Sequence, residues 1–242
     1  LMWLPIILVV GLILPSNFST AVLIFIMPTM IIFIAGYKLK HLTVLFFLFI
    51  FLISSFLYAV NKFPDIIPNR VDTWTNRIEN FINNDIDDTS NYQINRAKAA
   101  IANGKIFGVG AGKSSMKYVL PQSTSDFIFS IIAEEYGIIV SLIILLLYVV
   151  LLFRIIITSY RSETKFGQLV SVAVGIPVVF QAFTNMAVAV QLIPVTGQPL
   201  PLVSTGGTSI WITFLAMGIL LSVSKNNLSL IHISEPTRRI EI

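Results

Sequence analysis

The chain contains no cysteine, which excludes disulfides, thiol nucleophiles and cysteine–metal sites. It has two histidines, His41 and His232, and neither lies near the polar stretch in the middle of the sequence. Proton transfer there must therefore use Asp, Glu, Lys or Tyr. Charge is scarce too: 12% of the 242 residues are Asp, Glu, Lys or Arg, where a soluble domain carries about 25%. What fills the chain instead is apolar, at 55% hydrophobic residues and a mean hydropathy of +0.85. These values define an all-α polytopic membrane protein. The net charge of +4 does not point to nucleic acid, because membrane proteins gather Lys and Arg for topology.

Six apolar segments are legible: 1–15, 20–37, 43–60, 127–157, 167–190 and 209–223. The first is shorter than a span of about 30 Å requires at 1.5 Å per residue. The fourth is long enough to start at the interface or to run tilted. Short connections with Lys38, Lys40 and His41, or with Arg154, Arg161 and Lys165, read as cytoplasmic, and Lys225 follows the last span on that side. The connections near Ser16 and over 191–208 lack Lys and Arg and read as outward. The alternation puts the 61–125 loop outside, although it holds eight lysines and arginines, since long loops largely escape the charge rule. The start at Leu1, inside an apolar run, and the tail LSLIHISEPTR at 228–238 are expected to be non-native boundaries. The functional unit is accordingly read over 1–227, with 228–242 set aside as a non-native tail.

Within the outer loop, Val71, Trp74, Ile78 and Phe81 recur at helical spacing with Arg70 and Arg77 among them, predicting a surface helix. A polar turn follows over 83–91, then a helix from Tyr92 to Asn103 that ends at Gly104. Glycines at 104, 108, 110 and 112 predict a flexible crossing. GVGAGKSS, 108–115, lacks the first glycine of a phosphate loop, because Phe107 stands there. A glycine-rich bend is expected, with Lys113 and backbone amides left to meet a lipid phosphate. NNDIDDTS, 83–90, lacks the glycine and closing glutamate of a calcium loop. Arg70, Arg77, Arg96 and Lys98 fit headgroup anchoring or the bidentate binding of a pyrophosphate.

The run LPQSTSDFIFSIIAEEYG, 120–137, places Asp126 where the polar loop meets an apolar segment and carries Glu134 and Glu135 into it. Ionisable groups at such depth cost several kcal/mol unless pairing or function keeps them. Asp126 fits two roles, a helix N-cap or a catalytic carboxylate, and these can coincide. At 100° per residue Glu134 lies about 80° from Asp126, while Glu135 points the opposite way. Both glutamates fit supporting roles, or pairing with a basic or backbone group of another helix. The outward run QLIPVTGQPLPLVSTGGTS, 191–209, is apolar yet broken by three prolines and three glycines. Non-helical backbone at membrane depth must be buried in protein or line a cavity, so a re-entrant loop beside a substrate groove is expected.

Taken in order, Arg77, YQ at 92–93, AIANGKIFGVGAGKS, LP…SDFIF…EEYG, FQAFTN at 180–185 and PVTGQPLPLVSTGGTS resemble the SEDS family of bacterial cell-wall glycosyltransferases. The FtsW branch, linked to division, is nearer than the RodA branch, linked to elongation. The resemblance implies about six of the family's ten transmembrane helices, with a large extracytoplasmic loop and a multi-pass place in the bacterial cytoplasmic membrane. It implies polymerisation of lipid II into glycan strands at the outer face, with Asp126 as the essential base. Substrate-binding residues would be Arg70, Arg77, Gln93, Lys98, Lys113, Lys117, Ser204, Gly206 and Gly207, supported by Glu134, Glu135 and Asn185. The implied partners are a class B penicillin-binding transpeptidase and other divisome membrane proteins. A divalent cation, magnesium or manganese, is implied by the family alone, and the sequence offers no ligand cluster for one. The chain departs from the family pattern at Thr205, where an aromatic is usual, and over Gln122–Ser125. A lipid II flippase and a non-catalytic divisome scaffold are the competing functions. A transporter would carry midplane charges on several helices, whereas 20–37 carries none and 43–60 and 167–190 carry none.

Overall fold

The computed structural model describes residues 3–62, 81 and 92–233, and among them the regular structure is entirely helical. The expected surface helix with Arg70 and Arg77, the acidic turn over 83–90 and the end of the tail lie outside the described residues.

Helix α1 (Trp3–Ile13) and helix α2 (Phe18–Ile34) form a hairpin, with Asn17 capping α2 through its side chain on the Thr20 N–H at 3.2 Å. Helix α3 (Leu39–Lys62) packs on this pair, and Phe25 and Phe49 stack with ring centroids 3.9 Å apart. The α4 helix (Tyr92–Gly104) lies in the long connection after α3, followed by a 3₁₀ turn, Met116–Tyr118. Helices α5 (Ile128–Arg161), α6 (Lys165–Ala189) and α7 (Gly207–Ile233) complete the chain.

Four of these are long and apolar enough to cross a membrane: α3, α5, α6 and the 207–225 part of α7. At 11 and 17 residues, α1 and α2 are shorter apolar helices. The expectation of about six spans therefore resolves into four long helices and two short ones. The long helices keep their large side chains outward: Phe46, Phe47 and Phe51 on α3, Leu142, Leu146 and Phe153 on α5, Trp211 and Phe214 on α7 are all exposed. Lipid can cover such faces at no hydrophobic cost, so helix contacts depend on close approach of small residues. Helix α6 supplies them: Gly167, Ser171, Gly175, Ala182 and Ala189 are buried, and a Cβ at Gly175 would stand 2.7 Å from the Ile155 side chain.

One expectation is corrected within α5. The apolar run reads as continuous, but Gly137 has φ 79° and ψ −179° and breaks the helix into an outer arm, 128–136, and a long arm, 138–161. The connection before α5 seats itself in the break. The Val109 and Gly110 N–H groups donate to the carbonyls of Glu134 and Glu135 at 2.9 Å each, and the Ile138 N–H donates to Lys105 at 3.0 Å. Gly104 and Gly108 are in close packing against the α5 backbone, so this part of the expected flexible crossing is a docked segment, whereas Gly112 stands in open space. A Cβ at Gly104 would lie 1.8 Å from the Ala133 carbonyl oxygen.

Candidate active site

Asp126 sits at the end of a turn in which the Gln122 carbonyl accepts from the N–H groups of Ser125, Asp126 and Phe127. Helix α5 starts only at Ile128; its cap position is Phe127, with no side-chain cap bond. The capping role considered for Asp126 is therefore not realised, because the preceding turn delays the helix by one residue. The carboxylate is half-buried and accepts one hydrogen bond, from Ser125 Oγ at 2.8 Å. Its Oδ2 faces Gly197 of the 190–206 loop, 3.6 Å from where a Cβ would stand.

Three consecutive carbonyls hold Asp126 in place, each bound by a group from α6 or the loop after it. Thr205 donates to the Thr124 oxygen through both its N–H and its Oγ1, at 3.0 Å each. Ser204 Oγ donates to the Ser125 oxygen at 2.6 Å. Asn185 Nδ2 donates to the Asp126 oxygen at 2.7 Å and to the Gln198 oxygen at 2.8 Å. These contacts join segments 59 to 81 residues apart.

The loop that supplies them is irregular backbone folded into protein, as expected of apolar chain without helix at membrane depth. Gln181 Nε2 donates to the Pro199 oxygen at 3.1 Å, Tyr148 OH to the Pro201 oxygen, and Gln198 Nε2 to Thr20 Oγ1 at 3.4 Å. Leu200 and Pro201 are almost fully enclosed. A rigid loop thus stands beside the carboxylate.

The other expected site residues divide sharply. Asn185 is 1% exposed and reaches Asp126 through its backbone. Ser204 is buried and its oxygen also accepts from the Leu200 N–H at 2.7 Å, so it braces the loop and is not open to substrate. Gly206 is half-buried and Gly207 exposed, at the start of α7. Gln93 and Lys98 lie on α4, the lysine exposed beside Val190 and Gln191. Lys113 and Lys117 are exposed on either side of the short run 114–116. The backbone amides of Gly108, Val109, Gly110 and Lys113 are committed inside the protein and are not free to meet a phosphate. Arg96 covers the Tyr92 ring at 5.0 Å. Among the described residues Glu134 finds no basic partner: it accepts from Asn103, Ser114, Ser115 and the Met116 N–H. Glu135 is half-buried, and its carbonyl docks the loop.

The 191–209 loop is legible in the sequence, whereas Thr205 as a holder, Gly197 as the neighbour of the carboxylate and the Ser114–Ser115 pair as partners of Glu134 are not. The broken apolar run signalled the loop, whereas nothing local signalled those pairings. Among the described residues no group of three or more His, Cys, Asp or Glu could hold a metal ion. Among those residues the donors do not make a site for the divalent cation that the resemblance implies.

A loop-flanked carboxylate beside helices long and apolar enough to cross a membrane defines a multi-pass membrane protein with a candidate polar site at one end of its helices. The chain belongs to the FtsW/RodA/SpoVE family of cell cycle proteins, whose model matches residues 1–229. It is 36% identical over 195 residues to the stage V sporulation protein E of Bacillus subtilis, covering 80% of this chain and 50% of that protein. It is 38% identical over 151 residues to the "Probable peptidoglycan glycosyltransferase FtsW" of Enterococcus hirae, covering 62% and 37% respectively. A relative of the same name in Bacillus subtilis is 31% identical over 211 residues, covering 86% and 52%. The chain spans about half the length of the curated relatives it matches. A solved structure described as "Structural coordination of polymerization and crosslinking by a peptidoglycan synthase complex" shares the fold, with a TM-score of 0.65 at 24% identity over 93% of this chain and 60% of that one.

Proposed function

We propose that this chain carries the catalytic base of a peptidoglycan glycan-strand polymerase that uses lipid II at the outer face of the bacterial cytoplasmic membrane during division. The supporting observation is the half-buried Asp126 carboxylate, held by three successive backbone carbonyls against a rigid loop. Such fixation suits a base that must meet a hydroxyl in one orientation. Two family relatives bear the name of a glycosyltransferase.

In this mechanism Asp126 takes the proton of the acceptor sugar's hydroxyl as its oxygen attacks the anomeric carbon of the donor. The carbon–oxygen bond to the diphosphate breaks, and the lipid diphosphate leaves with the electron pair, with inversion. The exposed ammonium groups of Lys113 and Lys117 are candidates to neutralise that charge, with Arg70 and Arg77 as further candidates. A class B penicillin-binding transpeptidase is the proposed partner, cross-linking the strand as it emerges.

The decisive comparison uses the complete gene product with its transpeptidase partner, labelled lipid II, and Asp126→Asn. Polymerisation is expected to disappear while membrane insertion and partner binding persist. Wild-type polymerisation by Asp126→Asn would remove the assignment. Translocation of lipid II by a wild type that makes no polymer would instead favour the transporter function.

A further inference from the structure

The proposed reaction makes no use of Glu134, yet its carboxylate is among the most enclosed groups in the protein, at 1% exposed. It lies on the outer arm of α5, eight residues after Asp126. Four donors converge on it: Ser114 Oγ on Oε2, the Met116 N–H on Oε2 at 3.3 Å, Ser115 Oγ on Oε1 at 2.9 Å and Asn103 Nδ2 on Oε1 at 3.4 Å. None of these donors is a cation. A buried anion without a counter-charge is costly and persists only where dipoles satisfy it. A carboxylate suits this place because it is acceptor-only on both oxygens. A glutamine would turn an NH₂ group toward two of the four donors.

The group that Glu134 holds is the start of the run that ends in Asp126. Ser114 Oγ accepts from the Lys117 N–H at 3.0 Å, and Ser123 Oγ donates to the Lys117 carbonyl at 2.9 Å, so the Lys117 backbone is fixed on both sides. Met116 packs on a buried cluster that contains Leu120, Phe127 and Ile131, with Ile193 and Val195 of the rigid loop beside it. The two exposed lysines, 113 and 117, bracket the residues bound by Glu134. Their backbones are thereby tied to the same arm of α5 that leads back to Asp126.

We propose that Glu134 is a positioning residue that fixes the 113–117 segment so that Lys113 and Lys117 form one binding patch for the diphosphate of the lipid-linked donor. The identity of the ligand rests on the glycosyltransferase function proposed above; the role of Glu134 does not touch the reacting atoms. It separates two jobs in the site: carbonyl holds fix the base, and a buried carboxylate fixes the cations.

The test uses the complete gene product in lipid nanodiscs, with undecaprenyl diphosphate as the probe and uncharged undecaprenol as its control. Glu134→Gln is expected to weaken undecaprenyl diphosphate binding about tenfold, the effect of losing roughly one charge-assisted hydrogen bond, and to leave undecaprenol unaffected. Amide exchange should quicken over 114–120 and stay unchanged over 124–130. With lipid II, KM should rise by a similar factor while kcat stays within about threefold. Ser115→Ala should move each quantity in the same direction by less, and the double variant should be no worse than Glu134→Gln. Ser115→Ala decides the matter if Glu134→Gln is not recovered folded. Unchanged exchange over 114–120, unchanged diphosphate binding, or a fall in kcat at constant KM would overturn the proposal. If the wild type polymerises nothing, the glycosyltransferase function fails, and the exchange and binding arms still judge the role of Glu134.

Discussion

Asn185 joins three parts of the molecule with one amide. From α6 it donates to the carbonyl of Asp126 and to that of Gln198, and it is 1% exposed. Removing the amide takes its donor from two part-buried carbonyls, each costing about 1 kcal/mol or more. Asn185→Ala is therefore expected to lower stability by about 2 kcal/mol or more, read as a drop in the thermal midpoint in detergent, and to reduce polymerisation by at least about tenfold as the carboxylate loses its seat. Asp126 behaves differently. It does not cap α5, so Asp126→Ala should cost less than the roughly 1 kcal/mol that loss of a cap brings. An unchanged thermal midpoint alongside lost activity is the expected pair of results, and a drop of the size of a lost cap would count against the observed turn. The residue types at the site were legible as a carboxylate at a membrane boundary. Their partners were not, because a hydrogen bond across 59 residues leaves no periodic trace in the chain.

At the scale of elements, the break in α5 decides how the outer loop attaches. Gly137 combines φ 79° with ψ −179°, a region open almost only to glycine, and a Cβ there would lie 2.2 Å from the Ile106 carbonyl oxygen. Gly137→Ala is expected to cost about 1–3 kcal/mol in backbone strain alone and to release the 105–110 segment. Faster proteolysis within 105–115 in membrane vesicles would report that release, and unaltered cleavage would show that the break tolerates a side chain. The break escaped sequence reasoning for a plain reason. Apolar residues continue on both sides of it, and hydropathy does not record a change of dihedral angle. Helix ends fared better: the 43–60 segment became Leu39–Lys62 and the 20–37 segment became Phe18–Ile34. Asn17 as cap and the short turns set those limits, which hydropathy alone blurs by a few residues.

For the whole molecule, the arrangement of surfaces matters most. Large side chains point outward on α3, α5 and α7, while the polar groups that matter gather at one end, around Asp126 and Glu134. Trp211, near the start of α7 and 78% exposed, offers a direct probe. With Trp3 and Trp74 replaced by Phe, its fluorescence should be quenched by lipids brominated near the headgroup more than by lipids brominated deep in the acyl chain. Absence of quenching by either would show that protein covers this face. The membrane class, the order of the helices and the folded irregular loop were all readable from composition and from prolines and glycines. The seating of that loop on α2, α5 and α6 was not readable, since it depends on contacts between helices that hydropathy treats alike. The holds on 124–126 carry a last consequence. They grip peptide oxygens, which every residue type possesses, and Thr124 itself is exposed. Side-chain identity over 122–125 can therefore change while the carboxylate that follows keeps its address.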